Sequence, residues 1–248
     1  MKLIEEPRVG SAYAFGWSKI AVVLAEYWWL YALAVLLDAA VATWGATDTS
    51  FRTGTFEWLI IGFPALASCA RLVRPDARMH ARDVLTIIGI AAIIVAGIAL
   101  LAGMVFLITL LSRGFAFVAA IGSFCIVIWL WTKLSFAPIF FLNENPRNFT
   151  SAFDSSMDRI SSDAWWSALG LGIAVGFTIG VPSGIVLAIV GVHLGTLIAL
   201  GGRVPLFAIA CTVNALSIVS AVWSTAAMTA FASAFGTFGE TPEALDAA

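Results

Sequence analysis

Residues 85–111 contain no charged side chain, in a run longer than the ~20 residues an α-helix needs to cross a bilayer. Such a run makes bilayer the solvent of the fold. Composition agrees: 61% of the chain is hydrophobic, 11% is charged and the mean hydropathy is +0.98, whereas soluble domains carry roughly 25% charged residues because their surfaces meet water. Within 248 residues, about six helices of ~20 residues with short connections account for nearly everything. No soluble catalytic domain is left over. The expected fold is all-α, a polytopic transmembrane helix bundle of about six spans.

In chain order, residues 1–19 are a mixed polar lead, in which Ala12, Tyr13, Phe15 and Trp17 beside Ser18 and Lys19 predict a short helix lying at the interface. Spans are expected at 20–43, 56–72, 85–111, 115–142, 164–190 and 204–235, forming one domain over 1–235 with an acidic tail over 236–248. Trp28 and Trp29 lie deep for an aromatic belt, so the first boundary falls later if they mark the interface. Gly62 and Pro64 predict a kink in the second span. The fourth holds Lys133 and Pro138 and exits through Asn143, Glu144, Asn145 and Pro146, which do not readily continue a helix.

Before the fifth span, residues 149–163 form an amphipathic elbow. Phe149, Ala152, Phe153, Met157 and Ile160 make one side; Asp154, Asp158 and Arg159 make the other. Ser151 and Asp154 stand at capping-box spacing, and a helix of this pattern is expected in the headgroup plane. The apolar stretch 164–200 exceeds one span and is interrupted at Val181-Pro182-Ser183-Gly184. It reads as one span with a continuation, or as a hairpin that would raise the count to seven. The lead and the elbow echo one another: Ser11-Ala12-Tyr13, Lys19-Ile20 and Trp28-Trp29 answer Ser151-Ala152-Phe153, Arg159-Ile160 and Trp165-Trp166, although compositional bias explains such an echo as readily as repetition does.

Gly172, Gly176, Gly180 and Gly184, spaced by four with Ala168 before and Ala188 after, make a stripe of small residues that lets helix backbones approach in lipid. Residues four apart are offset by about 40° on a straight helix, so the stripe winds and serves two neighbours. In the last span Ala210, Asn214, Ser217, Ala221, Ser224 and Met228 alternate steps of four and three, a period suited to a left-handed crossing. These two helices are expected at the bundle's centre.

Orientation follows from the cations. With the N-terminus inside, Lys2, Arg8, Lys19, Arg71, Arg74, Arg78, Arg82, Arg147 and Arg159 collect on the cytoplasmic side, leaving Arg52, Arg113 and Arg203 outside and Lys133 in the membrane. The basic loop that also carries Asp76, His80 and Asp83 is the strongest topological marker; it could bind anionic headgroups, though its ordinary reading is an orientation signal. Basic residues spread among helix ends make no nucleic-acid face.

Few residues suggest chemistry. A cation inside a span costs roughly 2.5–3.5 kcal/mol and needs a partner or water. Lys133 with Glu26, Asp38 and Asn214 is therefore the candidate intramembrane polar cluster, against the plainer readings that Lys133 snorkels to the cytoplasmic face and that Asn214 bonds a neighbouring helix. Ser183 and His193 invite a hydrolase reading, but no Gly-x-Ser-x-Gly elbow is present. Cys69, Cys125 and Cys211 lack metal or disulfide spacing and read as small core residues. His80 and His193 make no metal set. No catalytic, cofactor or metal residues are expected, and no cofactor.

Ala137-Pro138 and Phe140 to Glu144 closing the fourth span, then Ala152, Ser155-Ser156 and Trp165-Trp166, resemble the membrane domain sometimes joined to glycerophosphodiester phosphodiesterases and its free-standing, uncharacterised bacterial six-span relatives. Gly16-Trp17-Ser18-Lys19 and Arg82-Asp83-Val84 are also similar. The resemblance implies a six-span protein of the bacterial cytoplasmic (inner) membrane with no assigned activity. It does not imply phosphodiesterase chemistry, which belongs to a separate soluble barrel.

The expected function is that of a non-enzymatic accessory or scaffold protein that associates with membrane lipid, with membrane-protein partners or with its own copies, and not with nucleic acid. The alternative is a small transporter or channel with a polar pocket near Lys133.

Overall fold

The computed structural model of the chain describes residues 2–44, 62–111, 113–144, 147–160, 164–178, 181–182, 185 and 203–235. All regular structure among them is helical, without a strand. The helices are α1 (Val9–Glu26), α2 (Trp28–Trp44), α3 (Phe63–Val73), α4 (Ala81–Leu111), α5 (Arg113–Leu134), α6 (Ala137–Asn143), α7 (Phe149–Arg159), α8 (Ala164–Thr178) and α9 (Arg203–Ser233). Three stretches, Ala81–Ile108, Phe117–Asn143 and Leu206–Ser233, are long and apolar enough to cross a membrane, and α1 with α2 makes a fourth if a bent pair counts as one span. α3 and α8 are shorter apolar helices within the described residues.

Packing is concentrated at one end. The last turns of α9 bury Val222, Trp223, Ala226, Ala227, Ala230 and Phe231 against α1, α2, α3 and α6. Ile87 and Ile90 near the start of α4, Ala152 and Ile160 of the α7 region, and Ala168, Leu171 and Val175 of α8 join the same core. Farther out, Leu100, Phe106, Phe117 and Phe124 are exposed, which suits helices solvated by hydrocarbon rather than water.

Several helices start or end at this base. α2 leaves it and α3 returns, with Arg71 of the last α3 turn bound to Glu26 beside the start of α2. α4 leaves and α5 returns, and these two pack on each other. α8 leaves and α9 returns, and the Leu3 amide donates to Ser233 Oγ at 3.0 Å. The N-terminal segment and the end of α9 thus lie at the same end of the bundle. α1 and α7 belong to the base, and each precedes a helix that opens near a tryptophan pair, Trp28-Trp29 or Trp165-Trp166.

The expected span 20–43 is divided. Tyr27 leaves helical geometry (φ −127°, ψ 29°) and the chain bends by 86° between α1 and α2. Arg71 fixes the corner by binding both Glu26 and the Tyr27 hydroxyl. Residues 20–26 consequently extend the base helix, and Trp28 and Trp29 stand at the foot of α2 instead of deep within a span. α1 is held by Gly16, where an added Cβ would meet Trp223 Cδ1 at 2.8 Å and the Ala227 backbone nitrogen at 2.9 Å.

The elbow also differs in detail. Asn148 caps α7, its side chain accepting from the Thr150 amide at 3.0 Å, three residues ahead of the expected cap at Ser151. Its apolar side meets protein rather than lipid: Ala152 and Ser156 are buried, and α7 packs on α5 and α6. Amphipathicity required a cover for that side without saying which. Pro64 stands in the first turn of α3, where a missing N–H costs no helical bond; the kink expected ahead of it falls partly on 56–61, outside the described residues.

α9 is central as expected, but its buried rows run through Ile218, Val222, Ala226 and Ala230 and through Trp223, Ala227 and Phe231. Asn214, Ser217, Ala221, Ser224 and Met228 are only partly buried. α8 packs through Ala168, Leu171 and Val175, while at Gly172 and Gly176 an added Cβ would have nothing among the described residues within 4 Å. Gly180, Gly184, Ser183, His193, Arg52, the 186–202 stretch and the 236–248 tail lie outside the described residues.

Candidate functional site

Lys133, Glu26, Asp38 and Asn214 do not form a cluster, because the two strongest members are engaged elsewhere. The Lys133 ammonium donates to the Met157 carbonyl at 2.6 Å and lies 4.8 Å from the centre of the Trp129 ring. Met157 is in the last turns of α7, whose final carbonyls have no intrahelical donor, and a cation there complements the helix dipole. The Lys133 carbonyl in turn accepts from Ser156 Oγ. Lys133 is therefore a tie between α5 and α7. Glu26 pairs with Arg71. Asp38, in α2, has no ion-pair partner among the described residues, and Asn214 is a partly buried residue of α9. Of the cysteines, Cys69 is buried as expected, but Cys125 is exposed on α5 and Cys211 is half-buried.

The charged groups converge instead on the base. A cleft of about 630 Å³ opens between the α3–α4 connection and the α6–α7 turn, lined by Arg74, Arg78, His80, Arg82, Asp83, Glu144 and Arg147 among others. Its walls are built by hydrogen bonds. Arg74 donates to the carbonyls of Asn143 (3.3 Å) and Glu144 (3.2 Å), the acceptors exposed where α6 ends, and to Asp76 at 3.2 Å. Asp83, buried at the first turn of α4, accepts from the His80 amide at 2.8 Å and from Arg147. The first contact is the carboxylate half of a capping box; the second joins α4 to the segment before α7. Glu144, also buried, accepts from Ser155 Oγ at 2.6 Å.

The Arg74 hydrogen bond, reinforced by backbone donation to Asp76 and by the guanidinium charge, holds the exposed Asp76 carboxyl below its ordinary range. Arg78 and Arg82 are exposed at the cleft, and their guanidinium groups have no ion-pair partner among the described residues. His80 is exposed beside them and leans on Asp83 at 3.4 Å.

Sequence reasoning counted Arg147 as a cation, placed Asp83 within the basic loop and Asn143-Glu144 at the exit of the fourth span, and used Asp83 and Glu144 otherwise only for the resemblance. Pairings across 64 residues (Arg147 to Asp83) and 70 residues (Arg74 to Glu144) leave no periodic trace. The available signal was the density of acids among the loop arginines, more than an orientation marker needs. No group of three or more His, Cys, Asp or Glu placed to hold a metal ion occurs among the described residues.

The chain matches no protein-family model, no curated protein and no solved structure.

Proposed function

We propose that this chain is a non-enzymatic accessory or scaffold protein of a bacterial cytoplasmic membrane, whose base is its cytoplasmic contact surface for lipid and membrane partners. The observation that carries the reading is where the charge is spent. Every ion pair among the described residues lies in the base, and Lys133 is used to hold α7, so the charge of the described residues is spent on the base rather than along the apolar helices.

Orientation and span number follow as parts of the proposal. Arg8, Lys19, Arg71, Arg74, Arg78, Arg82, Arg147 and Arg159 gather at the base end, which the positive-inside rule places in the cytoplasm. Exposed Trp17, Trp28, Trp131 and Trp166 sit near the same end, at the depth tryptophan prefers between headgroup and hydrocarbon. With Leu3 bonded to Ser233 at that end, the chain between them crosses an even number of times. This supports six spans over seven. Kinship with the phosphodiesterase-associated membrane domain is proposed on the same footing: Gly16, Asp83, Glu144, Ala152 and Ser155, which carry the resemblance, all stand in the base.

The test is flux. Purified protein reconstituted into liposomes with internal pH and ion-sensitive dyes should leak no faster than empty liposomes, and Lys133→Ala should change nothing. A flux that the wild type carries and Lys133→Ala abolishes would return the protein to the transporter class.

A further inference from the structure

We propose that the cleft between the α3–α4 connection and the α6–α7 turn is a binding site for a phosphate group, with Arg78 and Arg82 as its ligands and Arg74 and Arg147 as its frame. The division of labour among the arginines leads to this. Arg74 is committed to two backbone carbonyls and Asp76, and Arg147 to Asp83. Two acids of the cleft are committed too, Asp76 to Arg74 and Asp83 to Arg147 and the His80 amide; the third, Glu144, is buried, with one oxygen accepting from the Ser155 hydroxyl and the other without a partner among the described residues.

The exposed charge that remains at the cleft is positive. Arg78 and Arg82 open onto the cleft, their guanidinium groups without an ion-pair partner among the described residues. Arg82 stands in the first turn of α4, where the helix end adds partial positive charge. Guanidinium groups bind phosphate oxygens in pairs of parallel N–H bonds, with geometry a lysine cannot supply. A structural frame that pairs Asp76 and Asp83 with arginine, keeps Glu144 buried and leaves two exposed guanidinium forks facing one space is suited to an oxyanion. Because the base is read as the cytoplasmic face of the membrane, a reading on which this inference rests, phospholipid headgroups lie at its level; free phosphate shares the chemistry.

The test uses the full chain purified in a neutral detergent, with thermal unfolding as the readout. Short-chain phosphatidylglycerol should raise the unfolding temperature, while the matching diacylglycerol, which lacks phosphate, should not. Arg78→Gln/Arg82→Gln should weaken the apparent affinity by about tenfold, whereas Lys2→Gln/Lys19→Gln, an equal loss of charge elsewhere, should leave it unchanged. If the double glutamine chain does not insert, the same titration with Arg78→Gln alone decides. Inorganic phosphate giving the same shift and competing with the lipid assigns the site to free phosphate; an effect confined to the lipid assigns it to the headgroup. Equal weakening in both double variants, or weakening in neither, overturns the proposal. The liposome flux result stands apart from this titration, so either reading can fail alone.

Discussion

The Lys133 ammonium reaches the Met157 carbonyl at 2.6 Å, tying the end of the long helix α5 to the last turns of the short helix α7. Hydrogen bonds to a charged group contribute roughly 1.5–3 kcal/mol, and losing this donor would deprive the carbonyl of its side-chain partner. Lys133→Met should therefore destabilise the protein by about 2 kcal/mol in reversible denaturant unfolding. Lys133→Arg should recover part of that loss, since a cation at the helix end is retained. A Lys133→Met chain as stable as wild type would show that the tie contributes nothing.

Gly16 and Gly176 should respond in opposite ways to the same added methyl group. At Gly16 the new Cβ falls 2.8 Å from Trp223 and 2.9 Å from backbone of α9, so Gly16→Ala must push two helices apart and should cost about 1–3 kcal/mol. At Gly172 and Gly176 nothing among the described residues lies within 4 Å of an added Cβ, and alanine should be neutral or stabilising by up to about 1 kcal/mol through helix propensity. Unfolding of each variant as an isolated chain in detergent checks the difference. If Gly176→Leu instead abolishes self-association on a native gel while the monomer stays folded, the open glycine face is where a second chain packs.

The contrast shows what the sequence made legible. Uncharged runs such as 85–111 announce a bilayer helix through composition alone, and the burial of α9 follows from its length and polarity. The stripe through Gly172 and Gly176 was conspicuous because it is periodic, yet the close approach within the chain is made by Gly16, a single residue with no period. The break at Tyr27 is equally silent: both flanks are apolar enough to continue one helix, and the bend is fixed by Arg71 from another element. Lys133 looked intramembrane because hydropathy runs on through Ala137-Pro138 to Asn143, and its real partner belongs to a helix that begins after the next turn.

Acid should loosen the α3–α4 connection as the Asp76 carboxyl becomes protonated. The folded Asp76 carboxyl titrates below its ordinary value because Arg74 donates to it, so the pair's stabilisation is present above the unfolded carboxylate pKa of ~3.9 and is lost as pH falls through the folded value. Asp76→Asn should remove that part of the dependence. Carboxyl titration followed by NMR should place Asp76 below the free-peptide range in wild type and return it toward that range in Arg74→Gln. An Asp76 that titrates as in a free peptide in both chains would show the contact to be idle.

Asp83 and Arg147 make the most buried of the base's ion pairs, and removing one partner of such a pair typically costs about 3–5 kcal/mol because the other charge is stranded. Asp83→Asn is the informative change. An amide oxygen can still accept from the His80 amide and keep the cap on α4, so what is lost is the charge that Arg147 requires. Arg147→Met should cost a similar amount, and the double variant clearly less than the two losses added, with a coupling of about 0.5–3 kcal/mol expected for groups in direct contact. Denaturant unfolding of the four chains completes the cycle. Full additivity would mean that Arg147 reaches solvent or lipid phosphate rather than Asp83, and that the cleft's frame rests on Arg74 alone.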